Sequence, residues 1–163
     1  MKTFSQLNNL YTDILNRYGK LIIAGAWLLI TMINFLNHGI VTTLEAEKYI
    51  NEAQRLMDHK ELSASRFIFY SPTIIIIYLS LKMHAGFYGA FIIQGLYNLF
   101  VTLFFYRSLQ TFSLNIFYSF AATIIVVTFI PFSVWTVFLY TESIFYSNIL
   151  LLTSALLMHQ SHI

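Results

Sequence analysis

The chain has 163 residues, 58% of them hydrophobic and only 10% charged, with a formal net charge of +2 at pH 7 and a mean hydropathy of +0.68. Soluble domains carry about 25% charged residues and about 45–50% apolar ones, so this composition excludes an ordinary soluble globule and indicates an integral membrane protein. The small net charge and scattered basic residues give no basis for a nucleic-acid partner. With 0 cysteines, disulfides and thiolate metal sites are excluded.

In chain order, residues 1–20 place Phe4, Leu7, Leu10, Tyr11, Ile14, Leu15 and Tyr18 at helical spacing. This predicts an interfacial segment lying flat before the first span. Lys2, Arg17 and Lys20 precede the apolar run and favour a cytoplasmic N-terminus. Leu21 to Asn37 is the predicted first span. It follows a polar stretch and lacks a clean small-residue cleavage site, which favours a retained helix over a cleaved leader.

Residues 38–66 form a long polar loop, within which Glu47 to Lys60 reads as an amphipathic helix on the bilayer surface. Tyr49, Ile50, Ala53, Leu56 and Met57 share its apolar face, while Lys48, Glu52, Arg55 and Asp58 occupy the other. Thr42 or Thr43 is the expected cap.

Phe67 to Leu81 is a second, short predicted span, with Pro72 near its start and Lys82 and His84 at a cytoplasmic far end. Phe87 to Tyr106 and Phe112 to Ile130 are the third and fourth. Around Pro131 the reading stays open between a tight turn, a kink and a pair of half-helices. Phe132 to Tyr140 and Ile144 to Met158 complete an all-α bundle of four or five spans across residues 21–163.

The candidate chemistry centres on Thr43-Leu44-Glu45-Ala46-Glu47-Lys48-Tyr49. A carboxylate held at a membrane surface can serve as general base towards an acceptor hydroxyl. Glu45 and Glu47 both qualify, and both equally suit a solvated first helical turn that favours acids. Tyr49 reads either as a headgroup or sugar contact or as an aromatic anchor. Arg66 offers directed donors to a phosphate, or simply snorkels. Tyr70 and Pro72 most simply open a helix. Glu142, within Thr141-Glu142-Ser143, interrupts an apolar region and needs a partner, a cavity or an interfacial position. The histidines form no metal-ligand pattern, and His159 with His162 would need further ligands. The pair Gly86 and Gly89 reads as a close helix contact.

The ordered set Glu45-Ala-Glu-Lys-Tyr49, Phe69-Tyr70-Ser71-Pro72, Leu81-Lys82, Leu96-x-Asn98, Pro131 and Leu139-Tyr140-Thr141-Glu142-Ser143 resembles membrane glycosyltransferases of the C-type fold. The likeness is to the protein mannosyltransferase and aminoarabinose transferase branch, and it spans most of residues 21–158. It implies inverting transfer of a sugar from a polyprenyl-phosphate donor to an extracytoplasmic acceptor, with a membrane lipid as partner and a bacterial inner membrane as location. It assigns Glu45 as catalytic base, where the family usually has Asp four positions before a Tyr. Glu47 is the competing acid, and Tyr49, Arg66, Tyr70 and Glu142 are the expected substrate contacts. No cofactor is implied, and a divalent metal is left open. Family members have many more spans, so the chain is expected to be the N-terminal portion of an incomplete C-type fold. The alternatives are a small non-catalytic membrane interaction or assembly subunit, and a transporter fragment.

Overall fold

The computed structural model describes residues 4–43, 45–112 and 115–161, with side chains from residue 10 onward. The elements are α1 (Phe4–His38), α2 (Glu45–His59), a 3-10 helix (Ser65–Tyr70), α3 (Ser71–Lys82), α4 (Gly86–Thr111), α5 (Ile116–Thr128), α6 (Ile130–Val134), a second 3-10 helix (Trp135–Val137) and α7 (Thr141–Gln160). No sheet occurs among the described residues; Val41 and Phe138 form one isolated parallel bridge.

Segments Leu10–His38, Gly86–Thr111 and Thr141–Gln160 are long and apolar enough to cross a membrane. The pair 116–128 and 130–137 would make a fourth crossing, bent by 62°. The protein is a multi-pass, all-helical membrane bundle. The bend falls at Phe129, whose extended backbone separates α5 from the Pro131-containing α6. The Pro131 region thus holds two short helices separated by a sharp bend, closest to the half-helix reading. A proline lacks the N–H that a continuous helix would use.

Helix α1 does not break near Lys20. Its 35 residues form one rod, about 50 Å long at 1.5 Å per residue. The amphipathic stretch expected to lie flat is continuous with the span. Side chains of Phe4 and Leu7, and the residue Leu44 before α2, lie outside the description.

Three contacts fix the direction of α4 against α1. A Cβ on Gly19 would lie 2.6 Å from the Tyr106 hydroxyl, Trp27 Nε1 donates to Asn98 Oδ1 at 2.6 Å, and Phe35 stacks on Phe91 at 5.4 Å. The two helices are therefore antiparallel, and α4 begins at the end where α1 finishes. We call this the loop end and its opposite the N-terminal end. Helix α7 runs alongside α4 in the same direction. The carbonyl of Phe138, just before α7, accepts from Gln94 at 2.9 Å, and Ser147 pairs with Asn98 at 3.1 Å.

This arrangement corrects the second predicted span. Phe67 to Leu81 is divided between the first 3-10 helix and α3. At 12 residues, α3 reaches about 18 Å and falls short of the roughly 30 Å of a bilayer core. It folds back along the first turns of α4, where Ser80 Oγ donates to the Gly86 carbonyl. A Cβ on Gly89 would overlap Ser80 and Ala85, so Gly89 serves close packing. Gly86 instead supplies a turn at φ +57°, next to His84 at φ 57°. Lys82 and His84 thus sit at the loop end, not with Arg17 and Lys20. Pro72 does occupy the first turn of its helix, as expected.

Helix α2 forms close to the expected bounds. Ala46, Tyr49, Ile50 and Ala53 pack with Ile74 and Ile77 of α3, Ala90 of α4, and Leu139 and Tyr140. This cluster is the core of the loop end. The chain is stitched there by Val41 N–H to the Val137 carbonyl (3.0 Å) and Leu139 N–H to the Val41 carbonyl (3.2 Å). Glu52 is corrected from the solvated face. It is only 6% exposed and accepts from Ser63 N–H at 2.9 Å and from the Ser63 hydroxyl.

Candidate functional site

Helix α2 presents its first turn at the loop end. Glu45 accepts two hydrogen bonds from Lys48 Nζ, at 2.8 and 3.0 Å. The spacing of three residues places them on one helix face. Both side chains are about half exposed, at 52% and 59%. The hydrogen bond to Glu45, followed by its charge, raises the Lys48 pKa.

One turn on, Tyr49 is buried, and its hydroxyl lies towards Thr141 of α7. Burial pushes the Tyr49 phenol above its ordinary value, and the charges of Glu45 and Glu142 add to the rise, while Thr141 acts the other way. Tyr49 packs on Tyr70 with ring centroids 5.5 Å apart. Arg66 lies 5.4 Å over the Phe67 ring, a cation–π placement. Glu45, Lys48, Tyr49, Arg66, Phe67 and Tyr70 line a groove of ≈ 220 Å³.

Tyr70 is also a wall of a second groove of ≈ 300 Å³. Pro72 and Thr73 of α3 line it, with Thr141, Glu142, Phe145 and Asn148 of α7. Glu142 stands in the first turn of α7, where an acid suits the helix dipole, and Thr141 Oγ1 donates to it at 3.4 Å. Asn148 accepts from the Tyr97 hydroxyl at 2.5 Å. It lies on the α7 face that also exposes Phe145, Ile149, Leu152 and Leu156. The second groove therefore combines a polar floor with an apolar, lipid-suited rim.

Five expected site residues, Glu45, Tyr49, Arg66, Tyr70 and Glu142, thus line two grooves that share Tyr70. Glu47 is exposed and lines neither. Lys48 and Asn148 join the site without having been expected in it, and Thr141 stands in it beside Glu142. Lys48 carried a signal, its spacing from Glu45; Asn148 carried none. Tethering brings α7 to α2: the Tyr140 hydroxyl donates to the Thr43 carbonyl at 3.1 Å, which also accepts from Ala46 N–H at 3.2 Å.

The bundle interior carries a seam of polar side chains. Trp27, Asn98 and Ser147 form a buried chain of hydrogen bonds across α1, α4 and α7. Thr102 and Ser154 return their hydroxyls to backbone carbonyls one turn earlier. Gln94 caps the seam by donating to the Thr136 and Phe138 carbonyls at 3.1 and 2.9 Å. Such interhelical bonds and small polar residues let membrane helices approach closely. Trp27, Asn98, Thr102, Ser147 and Ser154 include no ionisable carboxylate or base and are bonded to one another or to backbone, which suits packing, while Ser143 Oγ and Asn34 Nδ2 are buried without a partner.

Among the described residues no group of three His, Cys, Asp or Glu side chains is placed to hold a metal ion. His162 lies outside them. No family model matches the chain, and no curated protein and no solved structure matches it.

Proposed function

We propose that the loop end is the donor-handling end of a membrane glycosyltransferase that uses a polyprenyl-phosphate sugar. The observation that supports this most is the convergence of Glu45, Tyr49, Arg66, Tyr70 and Glu142 from three distant parts of the chain onto two joined grooves. One groove carries paired charges at the surface. The other opens beside an apolar helix face. An amphiphilic donor needs both.

In this reading Lys48 and Arg66 offset the charge of the donor phosphate. The phosphate competes for Lys48 and so releases Glu45 from its ion pair. Glu45 then removes the proton from the acceptor hydroxyl. The acceptor oxygen bonds to the sugar's anomeric carbon from the face opposite the phosphate. The bond from that carbon to the phosphate oxygen breaks, the polyprenyl phosphate leaves with the electron pair, and the configuration inverts. Tyr70 and Tyr49 supply aromatic surface to the sugar, and Glu142 and Asn148 supply hydrogen-bonding groups. The N-terminal end is then cytoplasmic, the loop end extracytoplasmic, and the membrane a bacterial inner membrane.

A second reading, a non-catalytic interaction or assembly subunit, is favoured by the Glu45–Lys48 pair, which occupies the would-be base. The deciding experiment uses the chain, with any coding sequence contiguous to it, in proteoliposomes supplied with a panel of polyprenyl-phosphate sugars. Transfer should fall by about a hundredfold or more in Glu45→Gln, the usual scale for a lost general base, with folding unchanged. Undiminished transfer would move the base elsewhere, Glu47→Gln being the next variant. No transfer by folded protein across the panel would favour the subunit.

A further inference from the structure

The N-terminal end carries a separate cleft. Asn16, Arg17 and Lys20 of α1 face Tyr106, Arg107 and Gln110 of α4 across ≈ 340 Å³. The antiparallel packing of the two helices brings these cations together, from positions far apart in sequence. None of the three is paired with a carboxylate within salt-bridge distance among the described residues. Asp13, the acid nearest in sequence, is exposed and does not line the cleft. The back wall holds a second irregularity. The Tyr106 side chain is 1% exposed, and its hydroxyl has no hydrogen-bond partner. Gly19 makes room for that hydroxyl, since a Cβ there would lie 2.6 Å from it.

A buried, unpartnered hydroxyl is costly and calls for a ligand or water. Three cations without a carboxylate partner in one cleft, Arg17 resting over the Tyr18 ring at 5.2 Å, repel one another unless an anion joins them. The cleft lies near the ends of two membrane-length helices, the ends that face lipid headgroups when such helices span a bilayer. Tyr18 and Leu21 are exposed beside it on α1, apolar surface suited to acyl chains. Basic pockets between membrane helices are built to hold anionic headgroups.

We propose that this cleft binds the phosphate of an anionic membrane phospholipid. Arg17 and Arg107 supply directed donors to the phosphate oxygens, Lys20 adds a point charge, and the Tyr106 hydroxyl and Gln110 serve the headgroup's polar atoms. The site lies at the opposite end of the bundle from the grooves around Tyr70 and does not depend on a transferase role for them.

The test is native mass spectrometry of the whole chain in detergent micelles, titrated with phosphatidylglycerol, phosphatidylcholine or inorganic phosphate. Phosphatidylglycerol should be retained in preference to phosphatidylcholine. Arg107→Gln should weaken retention about tenfold, as loss of a charge-assisted phosphate contact does. Tyr106→Phe should weaken it a fewfold without lowering stability in the lipid-free protein. Lys82→Gln, at the loop end, should change nothing and controls for bulk charge. Equal retention of both lipids, or retention unaffected by Arg107→Gln in protein with unchanged far-UV circular dichroism, would overturn the proposal. Displacement of phosphatidylglycerol by millimolar inorganic phosphate would also overturn it, by assigning the cleft to a soluble anion.

Discussion

Two polar regions of this bundle follow opposite rules. The mid-bundle seam of Trp27, Asn98 and Ser147 is buried, uncharged and bonded across three helices. The loop-end groove is charged and open, and its ion pair joins residues only three apart. Trp27, Asn98 and Ser147 are bonded to one another across three helices, so they fix helix positions. Groups in the groove keep bonding capacity: Arg66 lies over the Phe67 ring and pairs with no carboxylate among the described residues, and Glu45 holds a partner that a stronger anion could take. Polarity inside a membrane protein therefore indicates a ligand site only where it is left partly unsatisfied.

Breaking the seam should have the largest effect on stability. Asn98→Leu strands the Trp27 N–H in an apolar interior and removes a donor to Ser147. It should destabilise the bundle by about 2 kcal/mol, within the cost of one unsatisfied buried donor. Unfolding in mixed micelles would measure it. A shift well below this would mean that a water or another side chain already serves Trp27.

Glu52 lies between the two regions in character, being charged like the groove and bonded inward like the seam. Glu52→Ala removes the acceptor for both Ser63 donors. It should cost about 1.5 kcal/mol, the low end for hydrogen bonds to a charged group. Amide exchange should rise around Ser63 and leave α4 and α7 protected. Global loss of protection would show that the 59–65 connection supports the whole bundle.

How much of this was legible beforehand depended on whether the information was local. The apolar spacing of Tyr49, Ile50 and Ala53 marked α2 because a surface helix writes its buried face every third or fourth residue. Glu45 with Tyr49, and Arg66 with Tyr70, are one helical turn apart and were readable as pairs. Phe67 to Leu81 misled because an apolar run looks the same whether it crosses lipid or packs on a neighbouring helix. Only the antiparallel register of α1 and α4 shows that α3 turns back, and no residue of α3 records that register. Glu52 was misplaced because its partner Ser63 sits beyond the helix, across a turn. The approach of Glu142 to α2 rests on the Val41–Phe138 bridge and the Tyr140–Thr43 bond. Both link positions nearly a hundred residues apart.

The smallest expected effect sharpens the boundary between the two regions. Tyr49 is buried like the seam, yet feels the charges of the groove. Its phenol is raised above the ordinary 10.0, burial being the main cause. An acid with a raised native pKa contributes stability that is fully present below its unfolded value and lost as pH rises through the native one. The bundle should therefore hold its stability up to about pH 10 and weaken above it, as the unfolded chain releases the Tyr49 proton more readily. Tyr49→Phe cannot ionise and should flatten that alkaline limb. At neutral pH it should cost at most about 1 kcal/mol, the net worth of one side-chain hydrogen bond. Unfolding midpoints between pH 8 and 11 separate the two contributions. If the variant keeps the full alkaline slope, other tyrosines carry it, and Tyr49 belongs with the solvated groove rather than at the seam's edge.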